Sequence, residues 1–244
     1  MYRFLLTRRW IVAAVVVLTA VVTMVELGLW QLRRHDEVRS RNALVETRLS
    51  SSVVPVEAVL GTGRDPAAAT YRRVSLEGTY DVASEVAVDN RSSEGRPGRH
   101  LLTPLRAAAG TALIVDRGWI PLDTDPSTAR PPAGRATVVG VLFPSERKGA
   151  LEPQIAPTGN LARFPRIDVA RIGRQLAYPT YPLYLRLESQ APGQQGTLPI
   201  LAGLPSLTDG PHLPYAVQWF LFATVAVTVF AALIRREARR RQRA

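Results

Sequence analysis

Residues 10–32 read WIVAAVVVLTAVVTMVELGLWQL, and residues 213–234 read LPYAVQWFLFATVAVTVFAALI. Each run is apolar almost without interruption. As helices at about 1.5 Å per residue they reach roughly 34 and 33 Å, enough to cross the hydrocarbon core of a bilayer. They decide the fold class: two membrane spans with the rest of the chain between them. The first run is too long for a signal-peptide core, and no small-x-small cleavage site follows it. It is expected to remain as an uncleaved anchor.

Charge supports this division. The chain has 244 residues and a formal net charge of +11. Arg3, Arg8 and Arg9 precede the first span, and six arginines and Glu237 follow the second, so the two ends account for +8 of that total. Basic excess beside apolar runs is topology charge rather than a nucleic-acid footprint. No Lys or Arg lies between Arg186 and the second span, so its arginine-rich end is expected in the cytoplasm. The resulting layout is a cytoplasmic N-terminus at 1–9, a span at 10–32, an extracytoplasmic domain at 33–212, a span at 213–234 and a basic cytoplasmic tail at 235–244. The expected location is the plasma membrane. Glu26, inside the first span, is either functional or placed near the outer interface, where it snorkels towards Arg33 or a partner subunit.

The segment after Leu32 reads as the first helix continuing outward and fraying near Ser50–Ser52. Strand patterns follow. In YRRVSLEGTY, Val74, Leu76, Gly78 and Tyr80 fall on one face. EVAVDNR alternates, LLTPL is short, TALIVDRGWIP is a buried strand ended by Pro121, RATVVGVLF is apolar on both faces, and LYLRLE alternates. Turn-forming stretches separate them. DVARIGRQL, with Asp168 as N-cap, is the one helical stretch. The domain is expected to be mainly antiparallel β, a sandwich or small barrel.

Cysteine is absent, which excludes disulfides, thiolate metal sites and cysteine nucleophiles. Hydrolase, Walker and dinucleotide motifs are absent too. Of three histidines, His100 at a strand start has Asp89 or Asp116 as potential partners, although such a histidine is ordinarily solvated. His35 and His212 flank the spans. One imidazole can hold a haem iron, and Tyr215, Trp219 and Phe222 follow His212 at helical spacing. Pro214 suits a first helical turn, placing His212 just outside the helix. The alternative is an aromatic belt of Trp10, Trp30, Tyr215 and Trp219 with an incidental histidine.

Five motifs in chain order resemble the surfeit-locus family of cytochrome c oxidase assembly factors. LGLWQLRR contributes Gly28, Trp30, Gln31 and Arg34; VSLEGTY contributes Gly78; VDNRSSEGRPGRHLLTPL contributes Arg91, Gly98 and Pro104. LIVDRGWIP contributes Arg117, Gly118, Trp119 and Pro121, and HLPYAVQWF contributes His212, Tyr215 and Trp219. The chain departs from the family at HDEVRSR, where a lysine is usual, and at DGPHL, where an asparagine usually precedes the histidine. The resemblance implies a non-enzymatic factor that serves oxidase subunit I alongside other assembly factors, in contact with membrane lipid and not nucleic acid. It also implies transient contact with haem a, with His212 as iron ligand, or a scaffold role without haem. Arg117 is expected either in a buried ion pair or meeting a haem propionate. If the spans pack together, Trp30, Gln31 and His212 line one pocket. A ligand sensor, a permanent oxidase subunit and an exported hydrolase are the competing classes.

Overall fold

The computed structural model describes residues 3–150, 154–204 and 206–243. The chain divides into a helical unit, residues 3–44 and 206–243, and a β unit, residues 45–204.

Helix α1 (Arg8–Leu49) begins the helical unit and runs as a single helix past its apolar stretch, ending in a turn at Ser50. The continuation expected beyond Leu32 is therefore present. After α1 come β1 (Val54–Pro55), α2 (Glu57–Leu60), α3 (Pro66–Ala69), β2 (Arg73–Tyr80), β3 (Val86–Ser93) and β4 (Arg96–Ala107). Next are β5 (Ala112–Pro121), β6 (Arg135–Phe143), β7 (Arg163–Phe164), α4 (Val169–Gly173) and β8 (Thr180–Ala191), and α5 (His212–Arg243) returns to the helical unit.

Strands β2, β6, β8, β5 and β4 pair in that order, and β4 pairs again with β2, closing a five-stranded barrel. Closure removes the exposed edges an open sheet would leave. Of the two architectures expected, the barrel is the one formed. Most pairings are antiparallel, but β5 and β8 run parallel. LLTPL is not a short strand; it is the middle of the twelve-residue β4. The strand begins early because Glu94 and Gly95 turn the hairpin with φ of 50° and 77°, so Arg96–Gly98 already belong to the ladder.

Two apolar clusters explain the mixed patterning. Leu76, Leu113, Val115, Leu142, Leu183 and Leu185 pack in one cluster. Ile114, Val141, Phe143 and Tyr184, their neighbours in sequence, pack in the other with Ile167, Val169 and Ile172 around α4. Successive side chains point to opposite faces, so a strand covered on both faces is apolar throughout. The alternation expected of β2 holds, whereas Val86, Ala87 and Val88 of β3 are all buried. Asp168 caps α4 by accepting from the Arg171 N–H at 2.9 Å. The additional helices α2 and α3 have four residues each, too short to carry a 3.6-residue period.

In the helical unit, α1 and α5 are both long and apolar enough to cross a membrane. Val12, Val15, Val16, Val217, Leu221 and Val225 are exposed along them. Helices that are apolar on their outward faces suit lipid as a solvent, and the chain is a membrane protein. Helix α5 starts one residue earlier than the span expected at 213 and continues nine residues past Ile234.

Candidate functional site

The helical seam brings two of the sequence motifs together. His212 is the first residue of α5 rather than lying just before it. The Tyr215 N–H donates to the Pro211 carbonyl at 3.3 Å, and Pro214 sits in the first turn, where its missing N–H costs nothing. The Nδ1 of His212 lies 2.9 Å from Oε1 of Gln31 on α1. An amide oxygen only accepts, so Nδ1 is the donor, and in the neutral imidazole Nε2 then keeps its lone pair. That is the tautomer in which a histidine binds a metal through Nε2 while its other nitrogen is oriented by a hydrogen bond.

Close helix approach makes the bond possible. A Cβ on Gly28 would stand 2.8 Å from the Phe220 ring, so only glycine lets that ring rest on the backbone of α1. Ala216 and Ala223 are buried on α5, and small residues at a seam let membrane helices approach. Trp10 meets Phe230 with ring centroids 6.3 Å apart, and Asn42 Nδ2 donates to Asp209 Oδ1 at 3.0 Å. The helices therefore run antiparallel.

Other residues singled out in this unit lie outside the seam. Trp30 is 51 % exposed and Tyr215 48 %. Trp30 leaves α1 about 100° around the helix from Gln31. Trp219 is half-buried and meets Phe222 edge-to-face at 6.1 Å. Arg34 pairs with Glu37 at 3.1 Å in solvent, and Glu26 is exposed on α1. The seam thus unites Gln31 with His212 and leaves Trp30 and Tyr215 as surface aromatics beside them.

The motif residues of the β unit are internal. Leu101 pairs with Gly118 and Leu102 with Asp116, so Arg117 is the extra residue of a β-bulge, which re-aims its side chain. Arg117 is 1 % exposed. Its Nη1 donates to Glu85 Oε2 at 2.8 Å, and its Nη2 to the Ala129 carbonyl and, at 3.0 Å, to Gln194 Oε1. Thr103 donates to the same Glu85 oxygen at 2.5 Å. Burial lowers the Arg117 pKa, and the Glu85 charge opposes it. Arg117 therefore occupies a buried ion pair, the first of its two expected settings.

Two glycines beside it are fixed by close approach. Gly118 has φ of 125°, and a Cβ there would lie 2.3 Å from the Ile200 carbonyl oxygen. That space lets the segment after β8 pair with Trp119, whose N–H donates to Ile200 at 2.7 Å. A Cβ on Gly98 would lie 2.3 Å from Trp119 Nε1. Gly78 faces the Arg106 carbonyl, Pro104 accepts from the Asp81 N–H at 2.8 Å, and Pro121 ends β5. Arg91 pairs with Glu146 at 2.6 Å.

His100 departs from expectation. It lies within β4, and its Nδ1 is 2.9 Å from Asp116 Oδ2. Asp116 also accepts from the Gly118 N–H at 3.2 Å and has Arg186 Nε at 3.8 Å. Asp89 instead holds Arg163. Among the described residues no serine hydroxyl bonds His100, so the dyad has no nucleophile. Sequence reasoning missed Glu85 and Gln194, which hold Arg117. It also missed the buried Arg171, which donates to the carbonyls of Ala156, Thr158 and Gly159. An acid opening an apolar strand was the one available signal for Glu85.

Fold and seam together define a class: a two-helix membrane protein carrying a small β-barrel, with an oriented imidazole where its helices meet. The chain belongs to the SURF1 family, whose model matches residues 18–224. It is 30 % identical to a SURF1-like protein of Mycobacterium bovis, over 99 % of this chain and 90 % of that one. A SURF1-like protein of Rickettsia felis is 22 % identical, over 88 % of this chain and 93 % of that one. Surfeit locus protein 1 of Homo sapiens is 25 % identical, over 84 % of this chain and 72 % of that one. The family expected from the motifs is the family found.

Proposed function

We propose that this chain is a non-enzymatic assembly factor for cytochrome c oxidase, and that His212 offers Nε2 to the iron of a haem a on its way into subunit I. The observation that carries this reading is the Gln31–His212 bond of 2.9 Å. It leaves a free imidazole nitrogen at the end of a membrane helix, and one such nitrogen suffices for a haem. When bound, haem a supplies a Lewis-acidic iron and a flat apolar ring. His212 is the residue that would hold it; Gln31 fixes the ring and its tautomer. Trp30, Tyr215 and Trp219 offer apolar faces nearby, two of them exposed.

The exposed apolar faces of α1 and α5 serve for contact with lipid and lateral docking against subunit I, alongside other assembly factors. Antiparallel helices bring the two chain ends to one end of the pair, which suits cytoplasmic termini and an extracytoplasmic barrel at the plasma membrane. Purifying the full chain in mild detergent from cells that make haem a tests the proposal. A Soret band that disappears in His212→Ala is the expected result. Oxidase subunits co-purifying without any band would leave a scaffold, and neither signal would end the assembly reading.

A further inference from the structure

The membrane-end arginines of α5 do more than count as charge. We propose that Arg235, Arg236, Arg239, Arg240 and Arg243 form a binding face for the headgroup of an anionic phospholipid. Helix α5 continues without a break through Arg243. At about 100° per residue, these five side chains fall within roughly 140° of one face. All five are exposed, and they line one cleft of 710 Å³.

The opposite face is spent inside the unit. Ala238 is buried, Glu237 accepts from Arg241 at 2.7 Å, and the Arg241 guanidinium lies 5.0 Å from the Phe4 ring centroid. Glu237 is the one acid after Ile234. Among the described residues the five arginines have no carboxylate partner. Five unneutralised guanidiniums on one face repel one another and need anions. Guanidinium forks match phosphate oxygens in pairs.

Position selects the lipid over other polyanions. The face begins directly after the apolar run and spans about 12 Å along the axis, comparable to the headgroup layer of a bilayer. The wall of the same cleft one to two turns deeper is made of Val227, Thr228, Ala231 and Ala232. Small and apolar, that wall accommodates an acyl chain, which neither a nucleic acid nor an acidic protein possesses. Topology charge alone is indifferent to which face of the helix carries it; this arrangement is one-sided.

The test uses the full chain reconstituted in phosphatidylcholine vesicles with spin-labelled phosphatidylglycerol or phosphatidylcholine. Motional restriction should favour phosphatidylglycerol by at least about threefold at low salt and approach parity near about 1 M salt. The triple variant Arg235→Gln, Arg239→Gln, Arg243→Gln should lose most of the preference, whereas Arg241→Gln should keep it. The proposal is overturned by parity in the unaltered protein, or by a preference that survives the triple variant. It is equally overturned if millimolar inorganic phosphate abolishes the preference, which would mark a free-anion site. Capture of single-stranded DNA at physiological salt without any lipid preference would also sink it.

Discussion

Gln31 and Arg117 are both motif residues in polar contacts, but their surroundings differ. In the β unit, Arg117 gives Nη1 and Nη2 to three partners, and Gly98 and Gly118 are fixed by backbone or indole within 2.3 Å of where a Cβ would sit. In the helical unit, Gln31 makes one bond to His212 and leaves Nε2 unspent. The barrel's motif positions hold the fold, as Gly28 does in the helix pair, whereas Gln31 holds the ring of His212 by one bond. A family signature therefore mixes two kinds of residue that only their surroundings separate.

The largest effect expected is from Glu85→Ala. Arg117 would then be a buried charge without its carboxylate, at a cost of about 3–5 kcal/mol. A denaturant midpoint of the full chain in detergent should fall accordingly; a loss below about 1 kcal/mol would break the distinction. Gly118→Ala should follow with a loss of about 2–3 kcal/mol, from strain at positive φ and displacement of the Ile200 segment. The same melt reads it, and protease nicking between β8 and α5 should accelerate. Gln31→Leu should move the midpoint least, by about 1 kcal/mol or less. Its effect should show in the nitrogen NMR of His212, where the proton is no longer held on Nδ1. A melt as damaged as that of Glu85→Ala would make the seam structural.

The spans were legible because their signal is local and long. The alternation of β2 was legible because one face meets solvent. β5 read correctly as buried, but its parallel pairing with β8 is made with residues about 70 positions away, which no local pattern records. The bulge at Arg117 was hidden for the same reason: it exists only in the register with β4. Among candidate site residues, His212 stood out in the sequence from its place at the start of the second apolar run. The sequence offered a pocket shared with Gln31 and Trp30 if the spans pack; the bond between Gln31 and His212 was not legible, nor was the exposure of Trp30. For His100, Asp116 was one of two acids the sequence offered, but the choice between them and a solvated ring rests on the register of β4 with β5, which no local pattern records.

The Gln31–His212 bond joins residues 181 positions apart. At ribosomal rates of about 5–20 residues per second, roughly 9–36 s separate the synthesis of the two partners. Throughout that interval the amide of Gln31 has no imidazole to meet. The imidazole acquires the hydrogen bond that orients it only after the second helix has been made, so the arrangement at the seam is a property of the assembled helix pair and of neither helix alone.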